Sequence, residues 1–168
     1  MVFYNGSGDQ SMDKITDPIE AINSIPLFFG LSQDDIDQIA KISDLIEIYP
    51  GDQPICEGSR LDYLYILMEG EMKVDVFVPT RGNIETGRLG PLDVLGWSAM
   101  TPIVRHRTAT STALTHCWLL RLDSRLLISL CETNHDIGFT IYRRVSNAAA
   151  HSFLTTRLNL MNLIAASD

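Results

Sequence analysis

The hydrophobic pattern changes twice along the chain. From Asp17 to Ile42 apolar residues recur every three or four positions, which predicts helices. From Ser43 to Leu122 the apolar residues form short runs separated by Gly, Pro, Asp and Asn, which predicts strands joined by turns. After Asp123 the helical period returns. This order predicts a mainly β protein with flanking helices.

Two short helices are predicted before the strands. Asp17 is placed to cap the first, Pro18 occupies its first turn, and Pro26 ends it. Ser32 is placed to cap the second, which we expect over 33–42. The β region, about 44–122, then divides into apolar runs at 45–49, 54–57, 63–68, 71–78, 84–89, 108–114 and 117–122. So many short strands indicate a sandwich or a barrel.

The C-terminal region, about 124–165, is predicted to be helical. Asp123 is placed to cap a short helix over 124–131, and Asn134 begins a long one that runs to about Ala165. Steps mostly of three and four residues draw one apolar seam along the long helix. The seam consists of Ile137, Ile141, Val145, Ala148, Leu154, Leu158, Met161 and Ala165. A small β domain cannot bury every face of such a helix, so we expect part of it to be exposed.

We interpret 17–168 as one domain and 1–16 as a flexible leader. The leader contains Asn5-Gly6-Ser7-Gly8-Asp9, and part of it is a cloning remnant if Met12 is the native start. No apolar run reaches the length of about 20 residues that crosses a bilayer, and no secretion signal is visible. We therefore expect a cytoplasmic protein without a membrane contact.

Charge and cysteine usage narrow the function further. The chain has 21 acidic and 13 basic residues, and its net charge of −8 disfavours binding to DNA. Cys56, Cys117 and Cys131 are far apart and follow no metal-binding spacing, so we interpret them as reduced core thiols. No P-loop or nucleophile elbow is present, and we expect no enzymatic activity and no cofactor.

Five segments, taken in order, resemble one known family. They are Phe29-Gly30-Leu31-Ser32, YPGDQPICEG at 49–58, LYILMEGEMKV at 64–74, LGPLDVLGWSAM at 89–100 and RTAT at 107–110. This series is similar to the cyclic nucleotide-binding domains of bacterial catabolite-activator regulators and of the regulatory subunits of cyclic-nucleotide-dependent kinases. The resemblance extends from residue 25 to about 164. It implies a double-stranded β-helix, or jelly roll, with N-terminal helices and a long C-terminal helix.

The resemblance also implies a phosphate-binding cassette around residues 96–108. In it Gly96 would allow close backbone approach, Ser98 and Ala99 would present N–H groups, and Arg107 would pair with the phosphate. Thr108 would add a hydroxyl to the phosphate or to a purine edge. Each residue also has a structural interpretation: Gly96 as a turn glycine, and Arg107 as a solvated charge or an internal ion-pair partner. Arg105 is interpreted as a loop charge.

Trp97 is the main departure from the family pattern. It stands where nucleotide-binding members carry a glutamate that accepts a hydrogen bond from the ribose 2′-hydroxyl. An indole donates one hydrogen bond and accepts none of useful strength, so Trp97 cannot replace that carboxylate. It could instead be a packing residue or a stacking platform for a base. We expect altered, weak or absent nucleotide binding.

Three functional hypotheses follow from the resemblance. In the first, the chain is a regulatory module that binds cAMP, cGMP or another small anion and signals through its C-terminal helix. In the second, it is a degenerate interaction or dimerisation domain whose pocket is filled by Trp97. The third, a cupin-like metalloenzyme, would require a histidine cluster, whereas His106, His116, His135 and His151 lack the spacing of one.

The C-terminal helix is the expected output of the regulatory module. The resemblance implies a homodimer formed through two such helices. The alternative is that half of the seam packs on the β domain and the rest frays. No helix-turn-helix follows the helix in this sequence, so we expect a stand-alone domain without DNA binding.

Overall fold

The computed structural model describes residues 17–165, and the leader predicted over 1–16 lies outside them. The helices and strands, in chain order, are α1 (Pro18–Ser24), α2 (Gln33–Ala40), β1 (Ser43–Ile48), β2 (Tyr63–Glu69), β3 (Met72–Val78), β4 (Gly82–Leu89), β5 (Val94–Leu95), β6 (Thr110–Ala113), β7 (Cys117–Asp123), α3 (Ser124–Thr133) and α4 (His135–Ala165). Two 3-10 helices, Pro26–Phe28 and Trp97–Met100, complete the described part. The predicted order of helices, strands and helices is confirmed.

The strands form two antiparallel sheets that face each other. One sheet has the order β1-β7-β2-β5 and the other has the order β4-β3-β6. Strand β2 is buried on both faces: Leu64 and Ile66 pack under the helices, whereas Tyr65 and Leu67 point into the space between the sheets. Burial on both faces explains why residues 63–68 read as an uninterrupted apolar run. The predicted mainly β fold with flanking helices is therefore confirmed.

Two predictions in the β region are wrong. The run at 54–57 is not a strand, because only Ile55 pairs, in an isolated bridge with Ser111. Pro54 has no N–H to donate, and a turn closed by the Ser59 N–H and the Cys56 carbonyl follows at once. The two-residue strand β5 was missed because it is too short to show a period. Cys56 is exposed and is not a core thiol, whereas Cys117 and Cys131 are buried.

The single apolar seam predicted for α4 is also wrong. Ile137, Ile141 and Val145 are buried against the domain, but Leu154 and Leu158 are exposed. At 3.6 residues per turn, Leu154 stands nine positions after Val145 and so lies about 180° away around the helix. The seam therefore changes sides between the two halves of the helix. None of the described helices is both long and apolar enough to span a membrane.

Asn134 joins α3, α4 and the N-terminal helices. Its side-chain oxygen accepts hydrogen bonds from the N–H groups of Asp136 and Ile137, and so caps α4. Its amide donates to the buried carboxylate of Asp35 at 2.7 Å. The Ser32 hydroxyl, which donates to the same carboxylate at 2.7 Å, and the Asn134 amide lower the pKa of Asp35 against its burial. Two helical layers that are distant in sequence are thus joined by one residue.

We expect Asn134→Ala to lower the free energy of unfolding by roughly 2 kcal/mol, because it removes a helix cap and a hydrogen bond to a buried carboxylate. Urea denaturation at neutral pH, followed by circular dichroism, measures this change. Asn147→Ala is the matched control, since Asn147 is exposed on the same helix. Equal effects of the two substitutions would contradict the assigned role of Asn134.

Candidate functional site

A cavity of about 290 Å³ lies between the β sheets, the 96–109 segment and α4. Its volume is close to the lower end of the range for small-molecule sites. Three elements form its walls: the strands, the Gly96–Ser98 turn with residues 107–109, and the middle of α4. The lining residues are Ile55, Val74, Val76, Thr86, Leu89, Val94, Leu95, Gly96, Trp97, Ser98, Arg107, Thr108, Ala109, Ser111, Ser152, Phe153 and Thr156.

Arg107 is the only charged residue among those that line the cavity. It is only 5% exposed, and its guanidinium donates to the carbonyl oxygen of Gly96 at 2.9 Å and to that of Tyr63. The backbone of Arg107 is held by two hydrogen bonds: the Gly58 N–H donates to the Arg107 carbonyl, and the Arg107 N–H donates to the Ser59 carbonyl. No carboxylate of the described residues forms an ion pair with it. Burial lowers the pKa of Arg107, but a guanidinium stays protonated in proteins.

Gly96 is required by its conformation and by its neighbours. Its φ of 71° lies in the left-handed region, which residues other than glycine rarely adopt. A Cβ at this position would collide with the guanidinium of Arg107 and would lie 3.1 Å from the Tyr63 carbonyl oxygen. Gly96 therefore does more than make a turn, because its missing side chain leaves the space in which Arg107 lies.

The structure brings five of the six predicted site residues to one cavity: Gly96, Trp97, Ser98, Arg107 and Thr108. Ala99 does not line it. Ala99 is buried, and its N–H donates to the Gly96 carbonyl at 2.9 Å within the 3-10 helix. The expected free N–H of Ala99 is therefore wrong, since a 3-10 turn bonds each N–H three residues back. Arg105 is exposed and is not part of the cavity lining.

Trp97 contacts both the helical core and the cavity. It is half-buried and packs against the core formed by the helices and the outer face of β2, and it also lines the cavity. It does not fill the cavity, which remains beside it with a volume of about 290 Å³. The contact with the helical core supports the interpretation of Trp97 as a packing residue. The contact with the cavity places Trp97 in the cavity wall.

The α4 wall of the cavity was missed in the sequence. Ser152, Phe153 and Thr156 line it, and Asn159 of the same helix donates to the Thr86 carbonyl at 2.7 Å. Thr86 is the extra residue of a bulge between β3 and β4, so its carbonyl has no partner in the ladder. Ser152, Thr156 and Asn159 lie at helical spacing, but they are polar, so the period of apolar residues does not reveal this wall.

Metal chemistry finds no support in the described part of the chain. No group of three or more His, Cys, Asp or Glu side chains there could hold a metal ion. Burial raises the pKa of the Cys131 thiol to about 11, so this cysteine stays protonated.

The sequence model of the cyclic nucleotide-binding domain family matches residues 45–134, more than half of the chain. The chain belongs to this family. The matched segment contains all six predicted site residues, from Gly96 to Thr108. No curated protein sequence is significantly similar to the chain.

Solved structures of similar fold include two bacterial proteins. A putative cyclic nucleotide-binding protein of Geobacter metallireducens is 20% identical, with a TM-score of 0.70 over 81% of this chain and 97% of that one. A cyclic nucleotide-binding domain of Methylobacillus flagellatus is also 20% identical, with a TM-score of 0.72 over 87% and 82%. At such identities the likeness shows the fold alone, which is the predicted jelly roll with its long C-terminal helix.

A third solved structure has a similar fold. It is a mutant regulatory subunit of a cAMP-independent protein kinase A from Trypanosoma brucei, solved with cAMP in its A site. It is 23% identical, with a TM-score of 0.65 over 83% of this chain and 50% of that one. At this identity the likeness again shows the fold alone.

We expect Gly96→Ala to lower the free energy of unfolding by about 2 kcal/mol, because it imposes a strained φ and displaces Arg107. Gly90→Ala is the matched control. A Cβ at Gly90 would meet nothing within 4 Å, and we expect a change below about 1 kcal/mol. Urea denaturation compares the two variants, and similar stabilities would contradict the close approach of Arg107 to Gly96.

Proposed function

We propose that the chain is a non-catalytic regulatory module that binds a cyclic nucleotide, cAMP or cGMP, or another small anion in the cavity beside Arg107. The observation that carries this proposal is the buried guanidinium in the wall of a cavity that contains no other charge. A buried cation without a carboxylate partner is costly. Asp62 acts on Arg107 only from beyond ion-pair distance, and an anion that entered the cavity would place an opposite charge directly beside the guanidinium.

The geometry leaves part of the guanidinium available for a ligand. A guanidinium carries five N–H donors, and Arg107 uses one for the Gly96 carbonyl and one for the Tyr63 carbonyl. These two bonds hold the group in place. Three donors remain, and planar arrangements of this kind suit the paired oxygens of a phosphate. We therefore assign the phosphate contact to Arg107, with the Ser98 and Thr108 hydroxyls beside it.

The helix α4 is proposed as the element that responds to the ligand. Its residues Ser152, Phe153 and Thr156 form one wall of the cavity. A ligand that touches this wall binds with different affinity when α4 is docked and when it is displaced, which is the condition for a population shift. Arg144 on the same helix donates to the Pro26 and Phe29 carbonyls, so displacement of α4 would also reach the N-terminal helices.

The interaction-domain hypothesis remains as the second candidate function. The packing of Trp97 against the helical core favours this hypothesis, because such packing is what a structural role of Trp97 requires. The open cavity beside Trp97 favours the regulatory module. Titration with nucleotides separates the two hypotheses.

We expect the chain to bind cAMP or cGMP below millimolar concentration, and Arg107→Lys to weaken this binding about tenfold or more. A lysine keeps the charge but has only three donors, too few to keep both carbonyl bonds and also contact two oxygens of a phosphate. Isothermal titration calorimetry with both nucleotides measures the affinities. Arg105→Lys is the matched control, because Arg105 is exposed and outside the cavity lining.

Two results would contradict the nucleotide assignment. One is the absence of binding by the unaltered chain at millimolar concentration of either nucleotide. The other is unchanged affinity in Arg107→Ala when circular dichroism shows the same fold. Arg107→Lys keeps the test informative if Arg107→Ala does not fold.

We also propose a homodimer formed by the exposed side of α4. Leu154, Leu158, Met161 and Ala165 follow steps of four, three and four residues, the spacing of a coiled-coil seam. The first three are each more than half exposed in the single chain. The far half of α4 remains helical to Ala165, and pairing with a second copy would cover this seam.

We expect Leu158→Glu to convert a dimer into a monomer, because two glutamates would face each other in an apolar seam. Light scattering at tens of micromolar protein reports the mass. Asn147→Glu, at an exposed position in the first half of α4, is the control and should remain dimeric. A monomeric unaltered chain would exclude the dimer.

A further inference from the structure

The cavity differs from a sugar-reading site in the chemistry of its walls. Its described lining contains no aspartate and no glutamate. Asp93 lines only a smaller adjoining cavity of about 100 Å³, and its carboxylate accepts the Gly90 N–H at 2.8 Å. A ligand held by Arg107 in this cavity therefore meets no charged acceptor in the cavity lining, whereas Asp62 lines a different cavity that Arg107 also borders.

Trp97 also limits what can be added at that position. It follows Gly96 directly, and its ring is held between the cavity and the helical core. An indole has one N–H donor and no acceptor of useful strength. The wall next to the guanidinium is thus an apolar ring where a hydroxyl of the ligand would require an acceptor.

Neutral hydroxyls supply the remaining polar contacts. The side chains of Ser98, Ser111, Ser152 and Thr156 line the cavity, and none of these hydroxyls has a hydrogen-bond partner among the described residues. They come from three different parts of the fold: the 3-10 helix, β6 and α4. Neutral hydroxyls bond donors and acceptors alike and contribute less than a charged acceptor does.

From these observations, and resting on the proposed function, we infer that the site binds an organic anion with a largely apolar body and does not require a ribose 2′-hydroxyl. Recognition would come from the Arg107 charge, the apolar strand walls and the neutral hydroxyls. The site would therefore accept a 2′-deoxy cyclic nucleotide about as well as the ribose form.

The test compares cAMP with 2′-deoxy-cAMP by isothermal titration calorimetry on the full chain. We expect their dissociation constants to agree within about threefold, since only neutral contacts to the 2′-hydroxyl are available. Trp97→Glu should then create a preference of about tenfold or more for cAMP, because a carboxylate accepts strongly from a hydroxyl. Trp97→Phe is the control, which keeps an aromatic ring without a carboxylate and should show no preference.

The outcomes separate the two proposals. Binding of both nucleotides with a preference of tenfold or more for cAMP by the unaltered chain would overturn this inference and leave the proposed function intact. If the chain binds neither cAMP nor 2′-deoxy-cAMP, the nucleotide assignment itself is overturned. Equal affinities of the unaltered chain for the two nucleotides support the inference even if Trp97→Glu fails to fold. A folded Trp97→Glu variant that does not prefer cAMP over 2′-deoxy-cAMP would contradict the placing of residue 97 beside the sugar.

Discussion

The rest of the site depends on the hydrogen bonds that hold the buried guanidinium of Arg107. A charge removed from water must be surrounded by polar atoms, and here two backbone carbonyls, of Gly96 and Tyr63, accept its hydrogen bonds. These bonds tie three segments together: the loop that carries Arg107, the turn at Gly96 and strand β2. They also fix the guanidinium in the wall of the cavity.

The same constraint explains the residues around the charge. Gly96 leaves the space that a Cβ would occupy, and the short 3-10 helix after it uses the Ala99 N–H internally. Trp97 then packs on the helical core. The segment is therefore held by hydrogen bonds where it meets Arg107, whereas the opposite wall of the cavity belongs to α4.

That helix carries two environments on opposite sides. Its first half is anchored by buried Ile137, Ile141 and Val145, and its second half places serine, threonine and asparagine against the strands. The Asn159 bond to the bulge carbonyl of Thr86 is the polar attachment of this second half. An element held by polar contacts near a ligand cavity is suited to move, because its displacement exposes little apolar surface.

The sequence alone determined the order of the elements and the helix caps at Asp17, Ser32 and Asp123, since these depend on spacing within short segments. The jelly roll and five residues of the cavity followed from the family resemblance of those segments. Only the tertiary structure decided what Arg107 bonds to, which side of α4 faces the strands and that Thr86 receives Asn159. Those contacts join residues 11 to 73 positions apart. They depend on how the chain closes around its core, and no local period records that closure.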